Sequence, residues 1–152
     1  MGVYAIVGAM TRTMVLAGVA ATVVLTGCTQ VGGDAPKPST ASEIAGTWSG
    51  SLTENSGTEF SVKVTIDSPL VTGQQGATAN YRGIGGPGGC SGSWVYNGQQ
   101  DGSWEFTETI TDGQGGTCDG TGAVTLTPAP DNVLQYLWVD GKDSSNGFLG
   151  RS

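Results

Sequence analysis

From residue 44 onward, apolar residues alternate with polar ones in short runs, and turn-forming residues break every run. A period of two puts successive side chains on opposite faces of a strand, one face for a core and one for solvent. The runs predict eight strands, at 46–53, 59–67, 77–82, 90–96, 103–111, 122–127, 133–139 and 146–151. Between them stand Asn55-Ser56-Gly57, Asn97-Gly98, Asp112-Gly113, Asp119-Gly120, Asp131-Asn132 and Asp140-Gly141, residues that tolerate the positive φ of tight turns. No segment of this region carries a helical period. The fold class is therefore all-β.

Eight short strands with short links predict an antiparallel up-and-down meander. Closing it into a small barrel removes the exposed edges that invite aggregation. A β-sandwich is the alternative. In a meander the connections at 54–58, 83–89, 112–121 and 140–145 share one end, and the chain termini share the other. That far end collects Asp112, Asp119, Asp140 and Asp143. Pairing the fourth and fifth runs places Cys90 opposite Thr109, with Cys118 just beyond the fifth strand.

The N-terminal part is of another kind. Arg12 precedes an apolar run from Met14 to Leu25, followed by Thr26-Gly27-Cys28. The run is too short for a membrane span, which needs ~20 apolar residues, and it reads as a processing segment. Small residues before Cys28 resemble the lipobox of bacterial lipoproteins, in which the cysteine is acylated and becomes the new N-terminus. The resemblance implies a signal peptide at 1–27, a lipid on Cys28 and a place on the outer side of the cell membrane. Residues 28–43, rich in Gly, Pro, Ser and Thr, then serve as a flexible tether to a domain at 44–152.

The barrel expectation gains from the ends of the domain. Gly46-Thr47-Trp48 opens the first strand and Arg151 ends the last. This resembles the lipocalin and avidin pattern, where a Gly-x-Trp tryptophan packs under a basic residue of the closing strand. Further along run Gly89-Cys90-Ser91-Gly92-Ser93-Trp94, Trp104-x-Phe106-x-Glu108-x-Ile110, Cys118-Asp119-Gly120, Leu134-x-Tyr136-x-Trp138 and Gly147-Phe148-Leu149-Gly150-Arg151. In that order they are similar to small exported domains of actinobacteria, found in lipoproteins and outside the membrane on some serine/threonine kinases. The likeness implies a setting and no catalytic residue.

The chain has six basic and thirteen acidic residues and no histidine. Loss of Arg12 with the signal leaves five against thirteen, a net charge of −8. Such a surface repels nucleic acid and favours a basic protein or a cation. Without histidine there is no Ser-His-Asp or Cys-His catalysis and no His-ligated zinc. With Cys28 lipidated, Cys90 and Cys118 form an even pair in an exported domain, so a disulfide is expected, worth about 2–4 kcal/mol by loop entropy.

Strand periodicity singles out the candidate site. Trp104, Phe106, Glu108 and Ile110 share a face, which puts a carboxylate in the apolar phase. Glu108 is either a functional group or a structural one bonded to Tyr81, Tyr136, a tryptophan N–H or Arg82. Trp94, Trp104, Tyr136 and Trp138 would line a cavity or fill it, since an eight-stranded barrel is just wide enough for its own side chains or one small ligand. Gly83-x-Gly85-x-x-Gly88 has the letters of a dinucleotide fingerprint but opens no helix. Asp140, Asp143 and Asn146 lack the spacing of an EF-hand, and Glu105 and Glu108 point to opposite faces of one strand, which excludes a glycosidase pair. No cofactor or metal is called for.

These readings converge on a non-catalytic, lipid-anchored envelope protein that binds a small ligand at Tyr81, Trp94, Trp104, Glu108, Tyr136 and Trp138, or serves as a sensor module. The alternatives are a protein–protein module, such as an inhibitor of a basic hydrolase like lysozyme, and a structural surface lipoprotein.

Overall fold

The computed structural model describes residues 43–84, 89–113, 118 and 120–152, with the backbone alone at 112–113. Eight strands form, β1 (Gly46–Glu54), β2 (Glu59–Ile66), β3 (Gln75–Arg82), β4 (Cys90–Gln100), β5 (Ser103–Gly113), β6 (Thr121–Ala129), β7 (Val133–Asp140) and β8 (Asp143–Arg151). Each pairs antiparallel with the next, and β1 pairs with β8, so the sheet closes into an up-and-down barrel. Closure leaves no strand edge unpaired, and the sandwich alternative falls.

The alternation read from the sequence is the alternation of burial. In β2, Phe60, Val62, Val64 and Ile66 face inward while Glu59, Ser61, Lys63 and Thr65 face out. Across the barrel, Trp94, Trp104, Phe106, Tyr136, Leu126 and Leu149 are almost wholly buried. Small residues make room for large ones: Ala77 stands opposite Trp94, and Ala79 opposite Gly92. A larger side chain at Ala77 would compete for the space the indole fills.

One turn lies elsewhere than expected. Asn97-Gly98 falls inside β4, at an irregularity where the register shifts between Tyr96 and Gly98. The hairpin instead turns at Asp101-Gly102, both with positive φ (50° and 82°), as a two-residue turn between paired strands prefers. Both strands are longer as a result, and Cys90 pairs with Gly113 rather than with Thr109. At β7–β8 the turn is Gly141-Lys142, so β8 begins at Asp143, three residues before the expected start.

The two ends of the barrel differ. At the end holding the first and last strand residues, Ile44 is buried and its carbonyl accepts a hydrogen bond from Trp48 Nε1 at 2.8 Å. The β2–β3 connection folds against the same end: Gly73 N–H donates to the Tyr96 carbonyl at 2.8 Å, and Leu70 packs on the core. The Arg151 guanidinium lies 4.4 Å from the centre of the Trp48 ring. It also donates to the carbonyls of Ala45 (2.9 Å) and Glu43 (2.8 Å). The arginine thus fastens the entering chain, the first strand and the last strand at one point. That end is closed.

The expected consequence is measurable. Arg151→Met keeps an apolar stem over Trp48 but removes the cation–π contact and two charged donors, and should cost about 1–2 kcal/mol in urea unfolding. Lys142→Met, on an exposed turn, should stay within about 0.5 kcal/mol of wild type. Equal effects at the two positions would deny Arg151 its part in closure.

Candidate functional site

At the opposite end the described residues leave the barrel open, and a cavity of about 390 Å³ descends into it. Phe60, Tyr81, Ile84, Ile110, Tyr136 and Trp138 supply its walls, Glu108 and Ser145 lie deep in it, and Glu54 and Asp143 stand on its lining near the mouth. The volume falls in the range of small-ligand sites. Asn55 holds one side of the rim, its N–H donating to the Ser144 carbonyl (2.8 Å) and its Nδ2 to that of Lys142 (2.9 Å).

Cys90 and Cys118 form a disulfide, with Cα atoms 5.9 Å apart. Both belong to the cavity wall. The bridge ties the first residue of β4 to the segment after β5, which is where the long β4–β5 hairpin reaches the mouth. The disulfide expected from the even cysteine pair is therefore present, although the strand register expected around Cys90 is not.

Glu108 is the centre of the site. It is 2 % exposed, and its Oε1 accepts hydrogen bonds from Tyr81 Oη (2.7 Å) and Trp94 Nε1 (2.9 Å). The Tyr81 hydroxyl in turn lies 3.3 Å from that of Tyr136, which is bonded to the buried Ser145. A polar chain thus crosses the lumen from β8 through β7 and β3 to β5 and β4. Of the partners considered for Glu108, Tyr81 and a tryptophan are the ones it uses. Arg82 points outward and is exposed.

Burial pushes the Glu108 carboxyl above its usual pKa, against the hydrogen bonds from Tyr81 and Trp94 that favour the ionised form. Burial also raises both phenols, and the nearby carboxylate raises them further. Trp138 lies close enough to help hold the carboxyl down. Its indole N–H nevertheless meets no hydrogen-bond geometry and has no other partner.

Not every residue singled out by periodicity is on the wall. Tyr81, Glu108, Tyr136 and Trp138 are brought together there. Trp94 and Trp104 are buried deeper: Trp94 packs on Phe106 and Tyr136 at centroid distances of 5.5 and 6.1 Å and supports Glu108 from beneath. Trp104 belongs to the packed half. Of the acidic residues expected at this end, Asp143 lines the cavity and Asp140 is exposed. Cys28, Asp119, Gly85, Gly88 and the side chain of Asp112 lie outside the described residues.

Sequence reasoning passed over two glycines that shape the site. A Cβ on Gly92 would collide with the Glu108 carboxyl, and one on Gly122 with the Trp138 indole. Both occupy inward positions of strands, and Gly122 stands directly opposite Glu108. The available signal was a glycine in the core phase of a strand, which marks a close approach of something else. Ser145, Phe60 and Ile84 were also missed, because a lone serine or an end-of-strand apolar residue has no distinctive pattern.

Comparison of the chain with protein-family models and with curated proteins returned no match.

The raised carboxyl has a definite sign. Folded Glu108 keeps its proton to higher pH than in the unfolded chain, so the stability it contributes is complete below the ordinary carboxylate range and is lost as pH rises through the raised value. Glu108→Gln cannot ionise. Its unfolding free energy relative to wild type should therefore rise as pH is taken from about 4 to about 8. Parallel stability curves for the two proteins would show that the carboxyl titrates as an ordinary one.

Proposed function

We propose that this protein is a lipid-anchored envelope protein whose barrel binds a small ligand without catalysis. The observation that carries the reading is the open cavity itself, whose floor is a buried, hydrogen-bonded carboxylate and whose walls are aromatic. A core built only for stability would fill this space, because interiors pack to crystal-like density. The anchor is the lipid on Cys28, behind a signal peptide at 1–27 and a tether at 28–43, and it faces the protein to the outside. The described chain enters the barrel at the closed end, opposite the cavity.

The arrangement supports binding better than turnover. Among the described residues, the groups that hydrogen-bond Glu108 are a phenol and an indole, and the phenol's proton is held more tightly than usual.

Native mass spectrometry of the full chain, purified in a nonionic detergent from its host's envelope, tests the proposal. An additional small mass that is lost on denaturation is expected. A bare mass, together with no retention of any compound from an extract of the same host, would overturn ligand binding and leave a structural surface protein.

A further inference from the structure

The charged groups around the cavity are of one sign. Glu108 lies at the floor, and Glu54 and Asp143 are the other charged side chains on its lining. The basic side chains among the described residues lie elsewhere. Arg151 is engaged at the closed end with Trp48 and the carbonyls of Glu43 and Ala45. Lys63 and Arg82 border a groove on the outer face of β1–β4, and Lys142 is exposed on its turn and does not line the cup. By sequence, the four connections at 54–58, 83–89, 112–121 and 140–145 hold Glu54, Asp112, Asp119, Asp140 and Asp143 against Lys142 alone.

Two further features select among ligands. The hydrogen bonds from Tyr81 and Trp94 both land on Oε1, so Oε2 takes neither of them, and Trp138 is a further donor near the carboxyl. Four aromatic rings, Phe60, Tyr81, Tyr136 and Trp138, stand round the same space, with Phe60 edge-on to Tyr81 at 5.9 Å. A negative ring face attracts a cation, most strongly when water is excluded, and cages of aromatic rings recognise ammonium groups in this way. An anion here would meet the carboxylate with no cation to offset it. A neutral ligand would bring no opposite charge to the buried carboxylate.

We propose that the cup recognises the ammonium group of a small organic cation, seated against Glu108 and walled by Phe60, Tyr81, Tyr136 and Trp138. This rests on the ligand-binding reading and deepens it to a ligand class, a protonated or quaternary amine with an apolar body. The body lies along Ile84, Ile110 and the Trp138 ring, and Glu54 and Asp143 at the mouth draw the cation in. The groups facing Glu108 are Tyr81 from β3, Tyr136 and Trp138 from β7 and Trp94 from β4, with Glu54 of β1 and Asp143 of β8 above them. Among the described residues, no cation on the lining competes with the ligand. Ionised Glu108 pairs with the ammonium.

Isothermal titration of the unaltered full chain in nonionic detergent tests this with four probes of similar shape. They are 2-phenylethylammonium, phenyltrimethylammonium, neutral 2-phenylethanol and anionic 3-phenylpropanoate. The cations should bind at least about tenfold more tightly than the alcohol, the factor of one charge-assisted contact, and the anion not at all. Glu108→Gln should abolish the preference for the cations over the alcohol. Glu54→Gln, further from the floor, should weaken cation binding less and make it less salt-sensitive.

The proposal is overturned if the alcohol or the anion binds as well as the cations. It is overturned equally if neither cation binds up to about 10 mM, weaker than specific recognition allows, or if a folded Glu108→Gln protein keeps the cation preference. A neutral or anionic compound found on the envelope-purified protein would sink the ammonium assignment and leave ligand binding standing. A bare protein that also ignores all four probes would sink both.

Discussion

An eight-stranded barrel encloses an interior that side chains can only just fill, and every inward residue is therefore set against a fixed volume. The chain divides that volume unequally. Toward the closed end the interior is occupied by Trp48, Trp104, Phe106, Leu126 and Leu149. Toward the open end the inward positions pass to Tyr81, Glu108, Tyr136 and Ser145, and their polar atoms answer one another. Trp94 belongs to both halves, with its rings packed on Phe106 and its N–H on the carboxylate. This one indole couples the apolar core to the polar chain, so the geometry of the cup depends on the packing beneath it.

The fold was legible because burial on one face imposes a period of two, and register errors do not change which face a residue occupies unless they are odd. The fourth and fifth strands show both sides of this. Turn chemistry at Asn97-Gly98 competed with that at Asp101-Gly102, and the sequence alone does not rank two such dipeptides four residues apart. The hairpin closed at the second, which moved Cys90 from Thr109 to Gly113. Glu108 and Trp94 stayed inside all the same, and Cys90 still reached Cys118 because both lie at the same end of the barrel. The expectation survived through topology, not through register.

Less of the site was legible. That Glu108 would be buried followed from alternation, but which partners it would take depends on strands that meet only when the barrel closes. Tyr81 lies 27 positions away and Trp94 lies 14 away, and each arrives through its own register. Nor does periodicity give depth: Trp104 and Trp138 both sit on inward phases, yet one is sealed in the packed half and the other stands at the cavity wall. Depth is set by how far each strand has run toward the mouth, and that requires all eight offsets at once.

The two glycines beside Glu108 argue that the carboxylate is not a tolerated accident. An apolar residue at 108 would pack without desolvation cost, since replacing a buried charge by a hydrophobic side chain is often neutral or stabilising. This barrel instead forgoes a side chain at Gly92, where a Cβ would strike the carboxyl, and at Gly122, where it would strike Trp138. It also commits Tyr81 and Trp94 to the same oxygen. Each choice loses packing area or fixes a polar atom away from water, and each acts on one group. The upper interior is arranged around a carboxylate at the bottom of an open cup, at the expense of the stability that filling the cup would supply. Such an expense is characteristic of sites that meet something other than the chain itself.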